Sequence, residues 1–213
     1  RADAVKHFMG VAASFDSLVI GEREILGQIK AAYLNAKKYD LCGDDIRLAY
    51  QQAIVFAKKI HCDTRIGEKP ISVVSLAFRS LLERNISKEA NVMIIGAGQT
   101  NHLMTNLLVK FGIHKVTVYN RTLNKAEDLA ARFENGKAIE LDKLINHNQP
   151  IDVILTCTGA NYAVITKEIY HQIVPKGKKV IIVDLAVPQD VEQEITDLDS
   201  VDYIDIASLE IKA

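Results

Sequence analysis

The spacing of apolar residues along the chain changes between positions 67 and 70. Before that point, apolar residues recur at helical intervals in two series, from Ile25 to Ala36 and from Ile46 to Ile60. Asp44 or Asp45 precedes the second series and is the expected N-cap of that helix. Neither helix has an apolar face broad enough to fold alone, so we expect this helical segment to belong to a larger domain.

After residue 70, short apolar runs typical of strands alternate with amphipathic helical segments. A first helix is predicted at Ser72–Glu83, and strands are predicted at Asn91–Ile95, Lys115–Tyr119, Lys137–Ile139, Asp152–Thr156, Lys179–Asp184 and Asp202–Ile204. Between the strands, helices are predicted at Gln99–Phe111, Leu123–Phe133, Asp142–His147 and Thr166–Gln172. This alternation predicts an α/β fold with a doubly wound, Rossmann-type, mostly parallel sheet. We therefore expect two domains: a helical segment at 1–69 that belongs to a larger domain, and a doubly wound domain at 70–213.

The first predicted strand runs directly into a glycine turn, and a helix follows it. In a dinucleotide site, Gly96 would make the tight turn and Gly98 would let a pyrophosphate approach the backbone. The helix N-terminus would then offer unpaired N–H groups to the phosphates. The third glycine of the usual fingerprint is absent, because Asn101 stands in its place. The candidate cofactor residues of this turn are Gly96, Ala97, Gly98, Gln99, Thr100 and Asn101.

The end of the second predicted strand indicates which dinucleotide is bound. An NAD site needs a carboxylate there to accept hydrogen bonds from the ribose 2′-hydroxyl, whereas this chain has Asn120, Arg121 and Thr122. A guanidinium can form a forked hydrogen bond with a 2′-phosphate. These three residues therefore predict NADP(H) as the cofactor. The alternative is an ordinary β-α-β unit with a solvated arginine.

Small residues follow the fourth and fifth predicted strands. Thr158 and Gly159 come after the fourth, and Ala186, Val187 and Pro188 come after the fifth. In a doubly wound fold these loops flank the nicotinamide half of the cofactor, where small side chains let a flat ring pack against backbone. Ordinary loop chemistry is the open alternative for both segments.

Composition narrows the class of protein. The 213 residues are 48% hydrophobic and 25% charged with a net charge of −1, which is typical of a soluble globular protein and argues against a general nucleic-acid binder. Three widely spaced cysteines form neither a metal-ligand pattern nor a disulfide framework, so we expect no metal and a cytoplasmic location. The sequence contains no apolar run long enough to span a membrane. The chain begins with Arg1, so we expect an internal piece of a longer protein.

Residues 17–28, which read Ser-Leu-Val-Ile-Gly-Glu-Arg-Glu-Ile-Leu-Gly-Gln, resemble the signature of the glutamyl-tRNA reductases. That signature typically reads Asp-Ser-Met/Leu-Val-Leu-Gly-Glu-Pro-Gln-Ile-Leu-Gly-Gln. The likeness continues in order through Ala53-Ile-Val-Phe-Ala-Lys-Lys-Ile60, Asp63-Thr-Arg-Ile-Gly67, Ser72-Val-Val-Ser75, Gly96-Ala-Gly-Gln-Thr100, Asn120-Arg-Thr122, Thr158-Gly159 and Asp184-Leu-Ala-Val-Pro188. It covers essentially the whole chain.

The resemblance implies NADPH-dependent reduction of the glutamyl group of glutamyl-tRNA(Glu) to glutamate-1-semialdehyde, which opens tetrapyrrole (porphyrin) synthesis. In the family a cysteine first takes the glutamyl group as a thioester. Its segment would lie before Arg1, so we expect this chain to be inactive alone. The resemblance also implies three partners: glutamyl-tRNA(Glu), the aminomutase that takes the semialdehyde, and a second copy in a homodimer.

The resemblance further implies that 1–69 is the helical C-terminal part of a truncated catalytic domain and that 70–213 is the NADP(H)-binding Rossmann domain. It also implies a substrate site in the helical segment. A role in activity is implied for His7, and substrate contacts are implied at Ser17, Glu22, Arg23, Glu24 and Gln28. Arg23 and Glu24 replace the proline and glutamine of the usual signature. A carboxylate at position 24 can accept hydrogen bonds but cannot donate them.

Two alternatives remain open at this point. A shikimate-dehydrogenase-like NADP oxidoreductase would share the glycine turn and the Asn-Arg-Thr segment, but it needs a Lys/Asp catalytic pair in an α/β substrate domain. A non-catalytic NADP(H)-binding module would need no substrate residues at all. Cys157 follows a predicted strand without a histidine or lysine beside it, so we interpret it as non-catalytic.

Overall fold

The structure is a computed structural model, and it describes residues 2–15, 24–64 and 72–210. Cα packing divides the chain into two compact units, which separate between residues 73 and 74. The first unit is helical. The second contains all the strands of the described residues.

The helical unit contains α1 (Ala2–Ala12), α2 (Glu24–Lys38) and α3 (Asp44–Asp63). Its core is built on alanines without any exposed surface, among them Ala12, Ala53 and Ala57. Side chains this small let helix backbones approach closely, and larger residues such as Phe8 and Ile60 pack around them.

The predicted N-cap of α3 is wrong by one position. Gly43 is the N-cap, with φ −73° and ψ 176°, and Asp44 and Asp45 occupy the first helical turn. Both carboxylates are favourable there because they face the positive end of the helix dipole. Asp44 is also held by Arg47, whose Nη2 donates to its Oδ1 at 2.8 Å.

The second unit is a doubly wound α/β domain. In chain order it contains α4 (Val73–Leu82), β1 (Asn91–Ile95), α5 (Gln99–Phe111), β2 (Lys115–Asn120), α6 (Leu123–Ala130), β3 (Asn135–Glu140), a 3₁₀ helix (Leu141–Asn146), β4 (Val153–Thr156), α7 (Lys167–Ile173), β5 (Val180–Asp184), α8 (Gln193–Thr196), β6 (Val201–Asp205) and α9 (Ile206–Glu210). All strand pairs are parallel, and the order across the sheet is β3-β2-β1-β4-β5-β6. The predicted fold class is confirmed.

The central strands form the core of this domain because both of their faces are covered. Each residue of β4 is buried, and β1 is buried from Val92 to Ile95. Such continuous apolar runs are typical of parallel strands between two helical layers. The order in which the strands are added to the sheet reverses direction at β1, which lies between β2 and β4. The carboxyl ends of these three strands therefore form the switch-point crevice.

Differences from the predicted elements lie around β3. Helix α6 ends at Ala130 rather than Phe133, because the chain turns back sharply and Gly136 packs on that helix end. A Cβ at Gly136 would lie 1.9 Å from the Ala130 carbonyl oxygen. The segment predicted as a helix from Asp142 is a 3₁₀ helix, whose larger rise per residue suits a short connection.

Candidate cofactor site

A cleft of about 300 Å³ opens at the carboxyl ends of β1, β2 and β4. The residues that line it come from the loops after these strands, from the start of α6 and from the start of the 3₁₀ helix after β3. They are Gly96, Ala97, Gly98, Asn120, Arg121, Thr122, Lys125, Leu141, Cys157, Thr158, Gly159, Ala160, Tyr162 and Val164. The cleft thus lies where a doubly wound fold binds its ligand.

Two glycines of the turn are needed for different reasons. Gly96 has φ +94°, and a Cβ there would lie 2.5 Å from the carbonyl oxygen of Cys157. Its N–H donates to the carbonyl oxygen of Tyr119 at 2.7 Å, which fixes the turn on β2. Gly98, by contrast, has ordinary extended backbone and a Cβ there would meet nothing within 4 Å. The space beside Gly98 is therefore open to a ligand.

The N-terminus of α5 faces this open space without a capping side chain. Gly98 is its N-cap and no side-chain hydrogen bond satisfies the first turn. The first N–H groups of a helix lack intrahelical partners, and the dipole makes this end positive. The turn is thus suited to a pyrophosphate, as the sequence predicts.

Asn101 explains how the turn forms without its third glycine. Its side chain is 2% exposed, and its Nδ2 donates to the carbonyl oxygens of Ile95 at 2.9 Å and Gly96 at 2.8 Å. This amide therefore shapes the turn from inside. Gln99, Thr100 and Asn101 all belong to α5 and are not among the residues that line the cleft.

Asn120 connects the glycine turn to the end of β2. Its Oδ1 accepts from the Ala97 N–H at 3.1 Å, and its Nδ2 donates to the Thr122 carbonyl oxygen at 2.8 Å. Both ends of this amide therefore hold backbone. They place Arg121 beside the turn, exposed and without an ion-pair partner in the part of the chain that the structure describes.

Lys125 is a cleft residue that sequence reasoning missed. It lies in the first turn of α6, whose N-cap Thr122 forms no side-chain capping bond. Its position two residues after the predicted helix start, in the first turn of that helix, was the available signal. Arg121 and Lys125 thus bring two cations and an uncapped helix end to one side of the cleft.

A second cavity of about 420 Å³ shares Arg121, Leu141, Tyr162 and Val164 with the cleft. Tyr162 was also missed by sequence reasoning, and its side chain is 61% exposed. The side chains of Leu141, Tyr162 and Val164 offer an apolar surface for a flat ring. Glu140 lines the same cavity, but Lys143 Nζ lies 2.6 Å from its Oε2.

The loops after β4 and β5 differ in their relation to the cleft. Thr158 and Gly159 line it, whereas Ala186, Val187 and Pro188 follow the neighbouring strand β5 and are not among its lining residues. Ala186 is buried and Val187 is 82% exposed. The peptide bond between Val187 and Pro188 is cis.

Cys157 lies in the cleft but is poorly suited to nucleophilic attack. Its Sγ donates to the Leu185 carbonyl oxygen at 3.3 Å, and burial raises the pKa of its thiol. A raised pKa lowers the thiolate fraction, and the thiolate is the nucleophile. The structure therefore agrees with the interpretation of Cys157 as non-catalytic.

The predicted substrate residues are only partly described. His7 lies on α1, Glu24 begins α2, and Gln28 follows one turn later on α2. Ser17, Glu22 and Arg23 lie outside the described residues. Over the ranges the structure does describe, no cluster of three His, Cys, Asp or Glu side chains is arranged to hold a metal ion. No helix in those ranges is both long and apolar enough to cross a membrane.

Residues 1–64 match the family described as Glutamyl-tRNAGlu reductase, N-terminal domain, and residues 80–211 match Shikimate / quinate 5-dehydrogenase. A protein named glutamyl-tRNA reductase from Exiguobacterium sibiricum is 35% identical over 97% of this chain and 47% of its own length. One from Geobacillus kaustophilus is 39% identical over 97% and 46%. The solved structure of glutamyl-tRNA reductase from Methanopyrus kandleri aligns with a TM-score of 0.58 at 30% identity, over 99% of this chain and 54% of that one.

The chain spans about half the length of these relatives. Its second unit carries the dinucleotide-binding fold that the shikimate/quinate match covers, which supports a nicotinamide dinucleotide as the cofactor. The order of the two domain matches, together with the identity along 97% of the chain, shows that the chain belongs to the glutamyl-tRNA reductase family.

Proposed function

We propose that this chain is the NADPH-binding part and the helical substrate part of an enzyme that reduces glutamyl-tRNA(Glu) to glutamate-1-semialdehyde. The observation that carries the proposal is the open space beside Gly98, between the uncapped N-terminus of α5 and the exposed Arg121. These groups fit a dinucleotide that carries a pyrophosphate and a further phosphate. When bound, the cofactor supplies a hydride.

The chain's own residues would bind and orient that cofactor. The N–H groups at the start of α5 would hold the pyrophosphate, and the shared apolar side chains Leu141, Tyr162 and Val164 would cover a flat ring. Arg121 and Lys125 would hold the 2′-phosphate, which a carboxylate at this strand end would repel. The preference for NADPH is thus attributed to these two cations and to the uncapped N-terminus of α6.

The substrate side of the proposal rests on the family. His7 and the signature residues Ser17, Glu22, Arg23, Glu24 and Gln28 would hold the glutamyl-adenosine end of the tRNA. The thioester-forming cysteine would come from a part of the protein that is not in this chain. The whole enzyme would act as a cytoplasmic homodimer and pass its aldehyde to the aminomutase of the same pathway. The domain limits 1–69 and 70–213 belong to this proposal.

A purely shikimate-like enzyme is less favoured as a second candidate. The shikimate/quinate match begins only at residue 80, and the preceding unit consists of the helices α1 to α3 in its described residues. That unit matches the glutamyl-tRNA reductase N-terminal domain instead.

Titration with both cofactors tests the proposal. NADPH should bind more tightly than NADH by roughly 1–3 kcal/mol, because a charge-assisted bond between Arg121 and the 2′-phosphate is absent with NADH. Arg121→Ala should shrink this difference and leave NADH binding nearly unchanged. The measurement is the dissociation constant from cofactor fluorescence.

Arg79→Ala is the matched control, since it removes an exposed arginine of α4 that pairs with Glu83 and does not line the cleft. It should leave both affinities unchanged. Equal affinity of the parent chain for NADPH and NADH would contradict the assignment of Arg121.

A further inference from the structure

Two buried carboxyl groups lie at the end of β5 and in the loop that follows it. Asp184 is 1% exposed and Asp190 is fully buried. Asp184 accepts four hydrogen bonds: its Oδ1 accepts from Ala186 N at 2.9 Å, and its Oδ2 accepts from Asp190 N at 2.8 Å, Val191 N at 3.1 Å and the Tyr203 hydroxyl at 3.1 Å. This carboxyl group therefore holds both ends of the loop 185–190 and fastens them to β6.

Asp190 holds the other loop, which follows β4 and lines the cleft. Its Oδ2 accepts from the Thr156 hydroxyl at 2.6 Å and from Thr158 N at 2.8 Å, and its Oδ1 accepts from the Thr158 hydroxyl. Its backbone carbonyl accepts from Val164 N at 2.7 Å and Ile165 N at 2.8 Å. Every one of these bonds joins the loop after β5 either to Thr156, the last residue of β4, or to the segment that follows it.

These bonds form one continuous path from β6 to the cleft. It runs from the Tyr203 hydroxyl to Asp184, through the N–H of Asp190 to the Asp190 carboxyl, and on to Thr158; we call this path the carboxyl bridge. Thr158 lies against the glycine turn, because a Cβ at Gly96 would come within 3.3 Å of its Cγ2.

We propose that Asp184 and Asp190 are positioning residues for the cofactor, because the carboxyl bridge makes the loop after β5 and the loop after β4 move as one. The proposal rests on the proposed function only in placing a nicotinamide dinucleotide in the cleft. The bridge touches no reacting atom. It sets the position of Thr158 and of the loop that carries Ala186.

The bridge is sensitive to proton uptake. Burial raises the pKa of Asp184 to about 6; the Ala186 N–H opposes the shift, and the nearby Asp190 charge adds to it. Tyr203 and Asp205 face it from β6, and Cys157 faces it from the β4 side. Burial also raises the pKa of Tyr203, so its hydroxyl remains a donor.

Protonation of Asp184 weakens the bridge. Oδ2 accepts three of the four bonds and Oδ1 accepts one, so a proton on Oδ2 displaces at least one of its donors. The remaining bonds lose their charge assistance, which is roughly half of their strength. Cofactor affinity should therefore fall as the pH falls through about 6.

The stability of the fold should change in the opposite direction. The pKa of Asp184 in the folded chain, about 6, lies above the 3.8 of an unperturbed aspartate, so the folded state binds the proton first. Between these values the folded chain carries more protons than the unfolded chain, and the Asp184 contribution to stability rises as the pH falls. Acid unfolding of the whole chain, by contrast, would lower the cofactor affinity and the stability of the fold together.

Four variants test the bridge. Asp190→Ala removes the anchor of the β4 loop, and Asp190→Asn keeps the shape but removes the charge. Tyr203→Phe removes only the hydroxyl that donates to Asp184. Tyr170→Phe is the matched control, because the Tyr170 hydroxyl is buried without a hydrogen-bond partner among the described residues.

Amide hydrogen exchange and cofactor titration are the two measurements. Tyr203→Phe should lower the exchange protection of the Thr158 N–H, although Thr158 lies on the other loop. Asp190→Ala should weaken cofactor binding by about tenfold or more, Tyr203→Phe by about threefold, and Asp190→Asn should restore most of the affinity. Tyr170→Phe should leave all these values unchanged.

The midpoint of the pH dependence distinguishes positioning from simple loss of structure. Tyr203→Phe removes a bond that lowers the pKa of Asp184, so its midpoint should move to higher pH. Asp190→Asn removes a charge that raises this pKa, so its midpoint should move to lower pH. The measurement uses NADH beside NADPH, because a phosphate itself titrates at about 6.

Unchanged Thr158 protection in folded Tyr203→Phe would overturn the proposal, as would midpoints that shift in the same direction. Hydrogen exchange needs no cofactor, so the bridge is tested even if the parent chain binds neither dinucleotide. That outcome would reject the proposed function and leave the coupling of the loops to be judged by exchange alone.

Discussion

Gly98→Val is expected to abolish cofactor binding while the fold is retained. The backbone at Gly98 has φ −84° and ψ 177°, which valine adopts readily, and the added side chain would meet no protein atom within 4 Å. It would instead fill the space where the pyrophosphate reaches the α5 N-terminus. Binding of NADPH should fall below detection by fluorescence titration, while the circular dichroism spectrum stays that of the parent.

Gly43→Val provides a matched control for this experiment. Gly43 is also a helix N-cap in open space, with φ −73° and ψ 176°, so the two variants share the modest loss of N-cap preference, on the order of 1 kcal/mol. Only Gly98→Val should lose the cofactor. Normal NADPH binding by folded Gly98→Val would show that the phosphates do not lie on this turn.

The second large effect is expected in catalysis. The 213-residue chain should bind NADPH yet form no glutamate-1-semialdehyde from glutamyl-tRNA, since ester reduction requires a cysteine that holds the acyl group. Cys42 lies in the helical unit and Cys62 in the last turn of α3, and the family resemblance assigns the nucleophile to neither. Cys157 is half-buried, and its thiol has a raised pKa. Intact mass spectrometry should therefore detect no glutamyl-thioester.

The comparison for this prediction is a longer polypeptide that carries the family's cysteine segment ahead of Arg1. It should form both the thioester and the aldehyde, and Glu22→Ala in that protein should impair the reaction. Turnover by the 213-residue chain that disappears in Cys157→Ser would instead identify Cys157 as the nucleophile.

Much of the fold was predictable because glycines and apolar runs mark its element ends. The predicted bounds of β1 and α5 agree with the structure, since Gly96 and Gly98 precede α5 and Gly112 ends it in a left-handed conformation. Strand β3 was predicted too short because it is polar and half-exposed, so alternation was visible over only three residues. Its pairing with β2 decides its length, and pairing is a long-range property.

The candidate site was likewise predictable only in part. The glycine turn and Arg121 are local patterns, so the sequence placed them on one cleft. The carboxyl bridge was not predictable, because Asp190 reads as a loop residue and its partners Thr156 and Thr158 lie 34 and 32 positions away. Nothing in a loop sequence distinguishes a buried aspartate from a solvated one until the sheet brings β4 and β5 together.

The buried amide of Asn101 has a consequence for the thermodynamics of binding. A turn built from glycines alone would have to be ordered around each incoming ligand, at an entropic cost of roughly 1–2 kcal/mol for each residue fixed. Here the two carbonyls that Asn101 holds keep the turn in one conformation in the free chain. The entropy is lost once, during folding, and the free energy of phosphate binding is not reduced by it.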